Sequence, residues 1–552
     1  MKQATLVNLP TELLCTVFYL LDSDDLLNIA MSCHRLNLVA IPVFMEREGS
    51  PDHRTSSVVN PSGRYADEIT ALNLDFSLIH MKQFFCILVS DLTWNIRRVI
   101  RLITRLSSIG SVSLVIDSWD SRWSLQSDVV QKIVVAVLDL VETAISKACT
   151  SFQIIHYHPA PIETDYQFEV MADSKKPKMQ KFGRFFMKSL FLARPDRPTL
   201  KDKEWGYRQL SNVPTPRSFF DFPTSLHTTL TKLDLSSDLL LIPPYSTWTF
   251  AVMKSSPIDS LSLRLPNQIT EEEYQHYLFP MIVTSLPKLR EIKLALLGIE
   301  FLTTVAESLS LLPFLETITL GLSFRALPST SLPITHIGLL HLTSFTGSSD
   351  QAAYMFGSSG FSCPNLEFIN IIVDTHFHPA FDNTLLEDHL ATLDTHFHET
   401  GIEPCISVCL ANEGELPDDS GDGGTEQLDH LSKVSRLTLE LPSVFGDSLT
   451  EADVASHAMA WLELFRGVTH LTLLHRRTDT VPLIPKGSRA AILSAINSKH
   501  QAITTFNLVD LPNKFHYHWS NARDDWQRGT DRIPTTTNFD HKSTEPTVCS
   551  HF

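Results

Sequence analysis

No stretch of this 552-residue sequence offers ~18 consecutive uncharged apolar residues, the length a membrane-spanning helix needs. The nearest, 129–145, is interrupted by Gln131, Lys132, Asp139 and Glu142 and reads as an amphipathic helix. The opening, MKQATLVNLPTELL, lacks an apolar core followed by a small-residue cleavage site, so no secretory leader is expected. Cysteine pairs at C-x-x-C spacing are also missing. Cys15, Cys33, Cys86, Cys149, Cys363, Cys405, Cys409 and Cys549 are scattered, and the expectation is reduced thiols in a cytoplasmic or nuclear protein. Charged residues make up only 19%, below the ~25% usual in soluble domains. Their balance, 45 Lys+Arg against 62 Asp+Glu, gives −17 and argues against general nucleic-acid binding, which rests on positive potential. The one basic run, Lys175, Lys176, Lys178, Lys181 and Arg184, reads first as a solvated loop, with a nuclear signal or phosphate contact as the functional alternative.

Catalytic signatures are lacking as well. There is no G-x-S-x-G elbow, P-loop, Rossmann fingerprint, H-E-x-x-H pair or RING-like cysteine/histidine series. The nearest to a metal motif is a duplication, Asp374-Thr-His376-Phe-His378 and Asp394-Thr-His396-Phe-His398, with further H-x-H pairs at His156/His158 and His516/His518. On a strand, H-x-H puts both imidazoles on one face. The second copy follows an apparent helix end, where alternate residues diverge, so no metal and no cofactor is expected.

What is present is leucine in repeating patterns. Mean hydropathy is +0.00 and hydrophobic residues are 43%, which are globular values. The length exceeds one ordinary compact domain of roughly 100–200 residues, unless the domain is an elongated array. The first fifty residues carry three short apolar-periodic segments, Pro10 to Leu21, Asp24 to Cys33 and His34 to Phe44. Pro10 fits a first helical turn. Leu13, Leu14, Val17, Phe18, Leu20 and Leu21 recur at three- and four-residue spacing, and Asp22 offers a capping oxygen to the next helix. Forty such residues bury little surface alone, so much of this leucine must face something else. A helical cap closing the following array is one reading.

A second reading comes from resemblance. Leu9, Pro10, Glu12, Leu13 and Leu14, then Val17-Phe18, then Leu21, Asp22, Asp25, Leu26 and Leu27, then Cys33, His34, Arg35 and Leu36 follow the pattern of the F-box family. Ser32 stands where that family usually has valine, and Phe44 where it has tryptophan. The resemblance covers roughly the first 45 residues. It implies a three-helix hook that binds a Skp-type adaptor, and through it a cullin, with Leu9, Pro10, Leu13, Val17, Phe18, Leu21, Leu26 and Leu27 as adaptor-binding residues.

Beyond a polar connector at 49–66, an apolar-x-x-apolar-x-apolar motif recurs. It stands at 69/72/74, 109/112/114, 149/152/154, 187/190/192, 230/233/235, 258/261/263, 289/292/294 and 315/318/320. It continues at 366/369/371, 405/408/410, 434/437/439, 468/471/473 and 503/506/508, with a weaker copy at Leu342/Phe345. Middle positions between 233 and 369 are separated by 28, 31, 26, 27 and 24 residues, in or near the band of leucine-rich repeats. Helices are expected between them: Thr270 with Glu273 and Ser448 with Glu451 read as capping boxes, and 81–106 and 487–500 show helical spacing. The expected fold class is α/β, with the three-helix F-box that the resemblance implies followed by a curved leucine-rich-repeat-like solenoid of short parallel strands and helices over 67–512. A doubly wound sheet would also alternate strands and helices, but would not explain so many copies of one motif. The repeat family's asparagine is replaced by Asp238, Pro266, Leu297, Ser323 and Asp374, so its turns must be satisfied otherwise. An acidic insert at 413–427 and a tail from 513 are not expected to pack.

The expected function is non-enzymatic: a substrate receptor of an SCF-type ubiquitin ligase that holds a protein near the conjugating machinery. A scaffold using the same contact for assembly, without turnover, is the alternative, and an unrelated enzyme with an F-box-like start is a third. By the period of two, residues between buried strand positions share a face. Lys232, Asp234, Arg264, Lys293, Arg436 and His470 are the substrate-binding candidates, with Ser262, Glu291, Asn370, Thr438 and Thr472 beside them.

Overall fold

The structure is a computed structural model describing residues 6–47, 56–59, 66–88, 92–116, 127–156, 166–171, 204–209, 229–237, 240–241, 243, 245–264, 269–295, 302–321, 337–357, 361–374, 383–411, 430–441, 450–476 and 488–511. The basic run, the 413–427 insert, the tail, the motif copy at 187–192 and His158, His376, His378, His516 and His518 lie outside these residues. The chain divides into two compact units, Met1–Ile372 with Thr384–Ile406, and Val373–Asn383 with Ser407–Phe552.

The first unit opens with three helices, α1 (Thr11–Phe18), α2 (Ser23–Ser32) and α3 (His34–Arg47). Pro10 stands at the N-cap of α1, and the Asp22 carboxylate caps α2 by accepting from the Asp25 amide at 2.7 Å. α3 is the central element: Leu36, Val39, Ala40, Ile41, Val43, Phe44 and Met45 are all buried despite Pro42 within the helix. Its arginines tie down both ends of α1. Arg35 donates to the Leu9 carbonyl at 2.7 Å, and Arg47 to those of Tyr19 at 2.9 Å and Leu21 at 2.5 Å.

The chain continues through β1 (Ser56–Val59), α4 (Ala66–Leu74), β2 (His80–Leu88), α5 (Leu92–Arg105), β3 (Ser108–Ile116), α6 (Ser127–Ser146) and β4 (Ser151–His156). β5 (Tyr166–Met171) and β6 (Glu204–Gln209) form a separate antiparallel pair. Then come β7 (Lys232–Ser236), α7 (Tyr245–Ser255) and β8 (Ser260–Arg264). The next helix, α8, starts over Glu271–Glu273, widens to a π turn over Tyr274–Leu278 and continues over Phe279–Ser285. β9 (Glu291–Ala295), α9 (Leu302–Leu309), β10 (Thr317–Leu320), β11 (Ile337–Gly338), β12 (Ser344–Gly347), α10 (Ser349–Phe356), β13 (Phe361–Ser362), β14 (Phe368–Asp374) and α11 (Asn383–Thr400) follow.

Leaving out the short pairs β5/β6 and β11/β13, the first unit's strands lie in the order β1-β2-β3-β4-β7-β8-β9-β10-β12-β14, with every successive pair parallel. Each strand neighbours its predecessor and successor, without the reversal of order that marks a doubly wound sheet. The recurrent motif sets the register. Val112, Phe152, Leu233, Leu261, Ile292, Ile318, Phe345 and Ile369 form one buried row across eight strands. Leu114, Ile154, Leu235, Leu263, Leu294 and Leu320 form the next, and it reaches Ile371 through Gly347 in β12. A Cβ on Gly347 would lie 2.8 Å from the Phe345 ring and 2.9 Å from the Gln351 amide oxygen that caps α10.

A second ladder holds the strand entrances. Successive amides of Thr231/Lys232 both donate to the Thr150 carbonyl, those of Asp259/Ser260 to Thr231, and those of Arg290/Glu291 to Asp259, at 2.8–3.2 Å. The pattern continues from Glu316/Thr317 to Arg290, from Thr343/Ser344 to Glu316 and from Glu367/Phe368 to Thr343. Hydroxyls of Thr150, Thr231 and Thr343 donate into the same ladder.

In the second unit, β15 (Cys405–Ala411), which enters it at Ser407, neighbours β16 (Val434–Glu440). α12 (Glu451–Leu464), β17 (His470–Arg476), α13 (Ser488–Asn497) and β18 (Thr505–Leu511) follow, with β16, β17 and β18 parallel and α12 packed on α13. The Thr504/Thr505 amides share the Thr469 carbonyl, repeating the entrance ladder.

Four expectations are corrected. The copy at 69/72/74 is not a strand but part of α4, because an i, i+3 apolar pair also fits one face of a helix. Residues 81–106 split into β2 and α5 rather than forming one helix, and Met81/Phe84/Cys86 is itself a strand copy in register with 109/112/114. The connector 49–66 contains β1, paired with β2, and the first residue of α4. The box before α12 is Thr450 with Asp453, two residues beyond the expected pair, and Ser448 lies outside the described residues. The Thr270/Glu273 box is present, with amide–side-chain bonds of 2.6 and 3.3 Å.

Candidate interaction surfaces

Among the described residues, eight of sixteen exposed large apolar side chains lie between Leu6 and Leu38, so the three-helix region carries a disproportionate share of uncovered apolar surface. The reason is that α1 carries two apolar stripes rather than one. Leu14 and Phe18 are 0% exposed and face the core, whereas Leu13 is 52%, Val17 37% and, just past the helix, Leu20 84% exposed. Leu13, Val17 and Leu20 are spaced four and three apart and so share one helical face.

The eight expected adaptor contacts therefore separate into classes. Leu13, Val17 and Pro10 are exposed, while Leu9 and Leu21 are half-buried. Phe18, Leu26 and Leu27 are corrected to core: they hold the three helices together and present no surface in this conformation. Leu20 completes the outward stripe but was missing from the candidate set. Reading the wheel of 13–20 as two offset stripes, rather than as one broad face, would have found it.

The three helices are also joined firmly to α4 and the turn after it. The Asn37 amide, fully buried, donates to the Ala30 carbonyl at 3.1 Å and to that of Leu74, the last residue of α4, at 2.9 Å. His34 stacks on Phe76 with ring centroids 6.1 Å apart. Arg105 of α5 in turn donates to the carbonyls of Leu72 at 2.8 Å and Asp75 at 2.6 Å.

The second surface is the strand face opposite the buried rows. Register places Ser113, Gln153, Asp234, Ser262, Lys293, Thr319, Thr346 and Asn370 side by side across eight strands. Lys232 and Glu291 flank this row on one side and Arg264 on the other, so Lys232, Asp234, Arg264 and Lys293 share one face of three adjacent strands. The centre is a connected polar band. Ser113 bonds to Gln153, whose amide donates to Asp234 at 2.7 Å, and Ser236 donates to the same carboxylate at 3.2 Å. Ser262 also bonds to Asp234, and the Lys293 ammonium stands near it while pairing with Glu291 at 3.5 Å. Burial pushes the Asp234 carboxyl above its ordinary value, and the bonds from Gln153, Ser236 and Ser262 with the Lys293 charge pull it back. The band is hydroxyl-rich, and its central carboxylate is satisfied by three neighbouring side chains.

In the second unit Arg436 and His470 lie directly opposite each other on β16 and β17, with Thr438 and Thr472 one step further along. Arg436 is exposed and His470 half-buried. Burial, and then the Arg436 charge, lower the His470 imidazole below its ordinary value.

Among the described residues no three metal-binding side chains come together. His396 and His398 both lie within α11. Burial pushes the Cys149 thiol up to about 11 and the Cys363 thiol up to about 12, the opposite of what an activated nucleophile needs. None of the seven described cysteines forms a disulfide, and no described helix is long and apolar enough to cross a membrane. Compared with known proteins, the chain matches no family model and no curated protein sequence at a significant level.

Proposed function

We propose that this chain is a non-catalytic substrate receptor of an SCF-type cullin ubiquitin ligase, whose three helices dock on a Skp-type adaptor and whose strand array holds a protein partner. The observation that carries the reading is the outward stripe of Leu13, Val17 and Leu20 on a helix whose other stripe is already buried. Apolar anchors on a short helix are what a partner's groove captures, and a few of them supply most of the binding energy. The F-box-like pattern of 9–36 names the partner class. The sequential parallel order and the in-register leucine rows support a leucine-rich-repeat-like array, a repeat type built to offer one long strand face.

The test replaces Leu13, Val17 and Leu20 by alanine in the full chain. Co-purification with a Skp-type adaptor should be lost, since a central anchor is typically worth more than about 2 kcal/mol. Thermal stability should stay nearly unchanged, because surface substitutions stay within about 0.5 kcal/mol. If the parent chain never binds the adaptor under native conditions, the reading is wrong. A partner that accumulates when the chain is depleted marks a receptor, and one whose half-life is unchanged marks an assembly scaffold.

A further inference from the structure

Among the described residues, the face of β7, β8 and β9 carries three cations, Lys232, Arg264 and Lys293, and they are not equivalent. Lys293 is committed, pairing with Glu291 at 3.5 Å and standing beside Asp234. The carboxylate of Asp234 is in turn occupied by Gln153, Ser236 and Ser262. The Lys232 and Arg264 side chains have no such partner among the described residues, yet both are half-buried. A cation that has given up part of its hydration without gaining a counter-charge is favoured by an incoming anion. These two stand out in a chain of net charge −17. Their spacing is set by register: Lys232 lies opposite Ser260, and Arg264 is four residues further along β8, roughly 13 Å by strand rise.

We propose that this face receives an extended acidic segment of a partner protein, with Lys232 and Arg264 as its two charge contacts. This rests on the reading of the strand face as the partner-binding surface. An extended segment lying along the strands reaches both cations with carboxylates about four residues apart. Ser260, opposite Lys232 on β8, can meet its backbone, and Glu291, opposite Ser260 on the same face, is already paired with Lys293. Lys293, already neutralised, contributes position rather than recognition.

The probe is a fluorescein-labelled Ser/Gly peptide with two glutamates four positions apart, titrated against the full chain by fluorescence anisotropy. Its control carries glutamine at both positions. Binding of the acidic peptide alone, weakened about tenfold by either Lys232→Glu or Arg264→Glu, is the expected result. The double variant should instead bind the matching peptide with lysines in place of glutamates. If the double variant loses thermal stability, Lys232→Gln with Arg264→Gln takes its place, with loss of acidic-peptide binding as the expected outcome. No binding by the parent chain, or equal binding by the charge-altered pair, overturns the proposal. Ser260→Trp separates the two levels. Peptide binding blocked by that bulk but indifferent to the charges keeps the face as a binding surface and sinks the acidic recognition. Binding indifferent to both sinks the surface reading as well.

Discussion

Asn37 shows how one polar side chain can hold two substructures together. Its amide satisfies two main-chain carbonyls, Ala30 and Leu74, that belong to helices on either side of it. Alanine there leaves a buried acceptor at Ala30 and a part-buried one at Leu74 without this donor, at a cost of about 1–3 kcal/mol. Urea denaturation should show that loss, and an unchanged midpoint would mean that the carbonyls find other partners. Asp234 makes a different demand, because its folded carboxyl lies above its ordinary value of 3.8. A raised acid contributes its stability below the unfolded value and loses it as pH rises through the folded one. Asp234→Asn should therefore be least favourable in acid and gain on the parent between pH 3.8 and neutrality. Denaturation midpoints of the two proteins across that window check it, and a gap that widens in the parent's favour toward neutral pH contradicts it.

At the scale of elements, the apolar-x-x-apolar-x-apolar motif located the strands because each copy has two side chains that must enter the same core. Eleven full copies and the weak one at Leu342/Phe345 lie on or just before β3, β4, β7–β10, β12 and β14–β18. It failed where spacing alone is ambiguous: 69/72/74 satisfies a helical face as well as a strand entrance, and Met81/Phe84/Cys86 was absorbed into the helical pattern of α5. The candidate site was legible to a similar depth. Register placed Lys232, Asp234, Arg264 and Lys293 on one face as the period of two requires. Which charges are already satisfied depends on contacts between strands 81 residues apart, as between Gln153 and Asp234, and no local pattern carries that. In α1 the failure was of another kind. A list of apolar positions does not separate the stripe that builds the three-helix core from the stripe left outside it.

For the whole first unit, the joint between α3 and α4 changes what a truncation means. Were the three helices a separate appended module, the array would stay folded without residues 1–48. The structure instead seats α3 on α4 through Asn37 and places His34 on Phe76, so removal uncovers the end of α4 and the Leu74 carbonyl. In a sheet whose strands follow one another in sequence, each unit rests mainly on its neighbours, so the damage should fade along the series. Hydrogen exchange of a chain lacking 1–47 should show lost protection in α4 and β2, with α5 next because Arg105 grips the Leu72 and Asp75 carbonyls. β8, β9 and β10 should exchange as in the parent. Uniform loss through β10 would mean that the first unit folds as one cooperative block, and full protection of α4 would mean that the joint carries no stability. Either result bears on how adaptor docking is tested. A truncation removes the contact and loosens its neighbours together, whereas the Leu13, Val17 and Leu20 substitutions take away only the outward stripe.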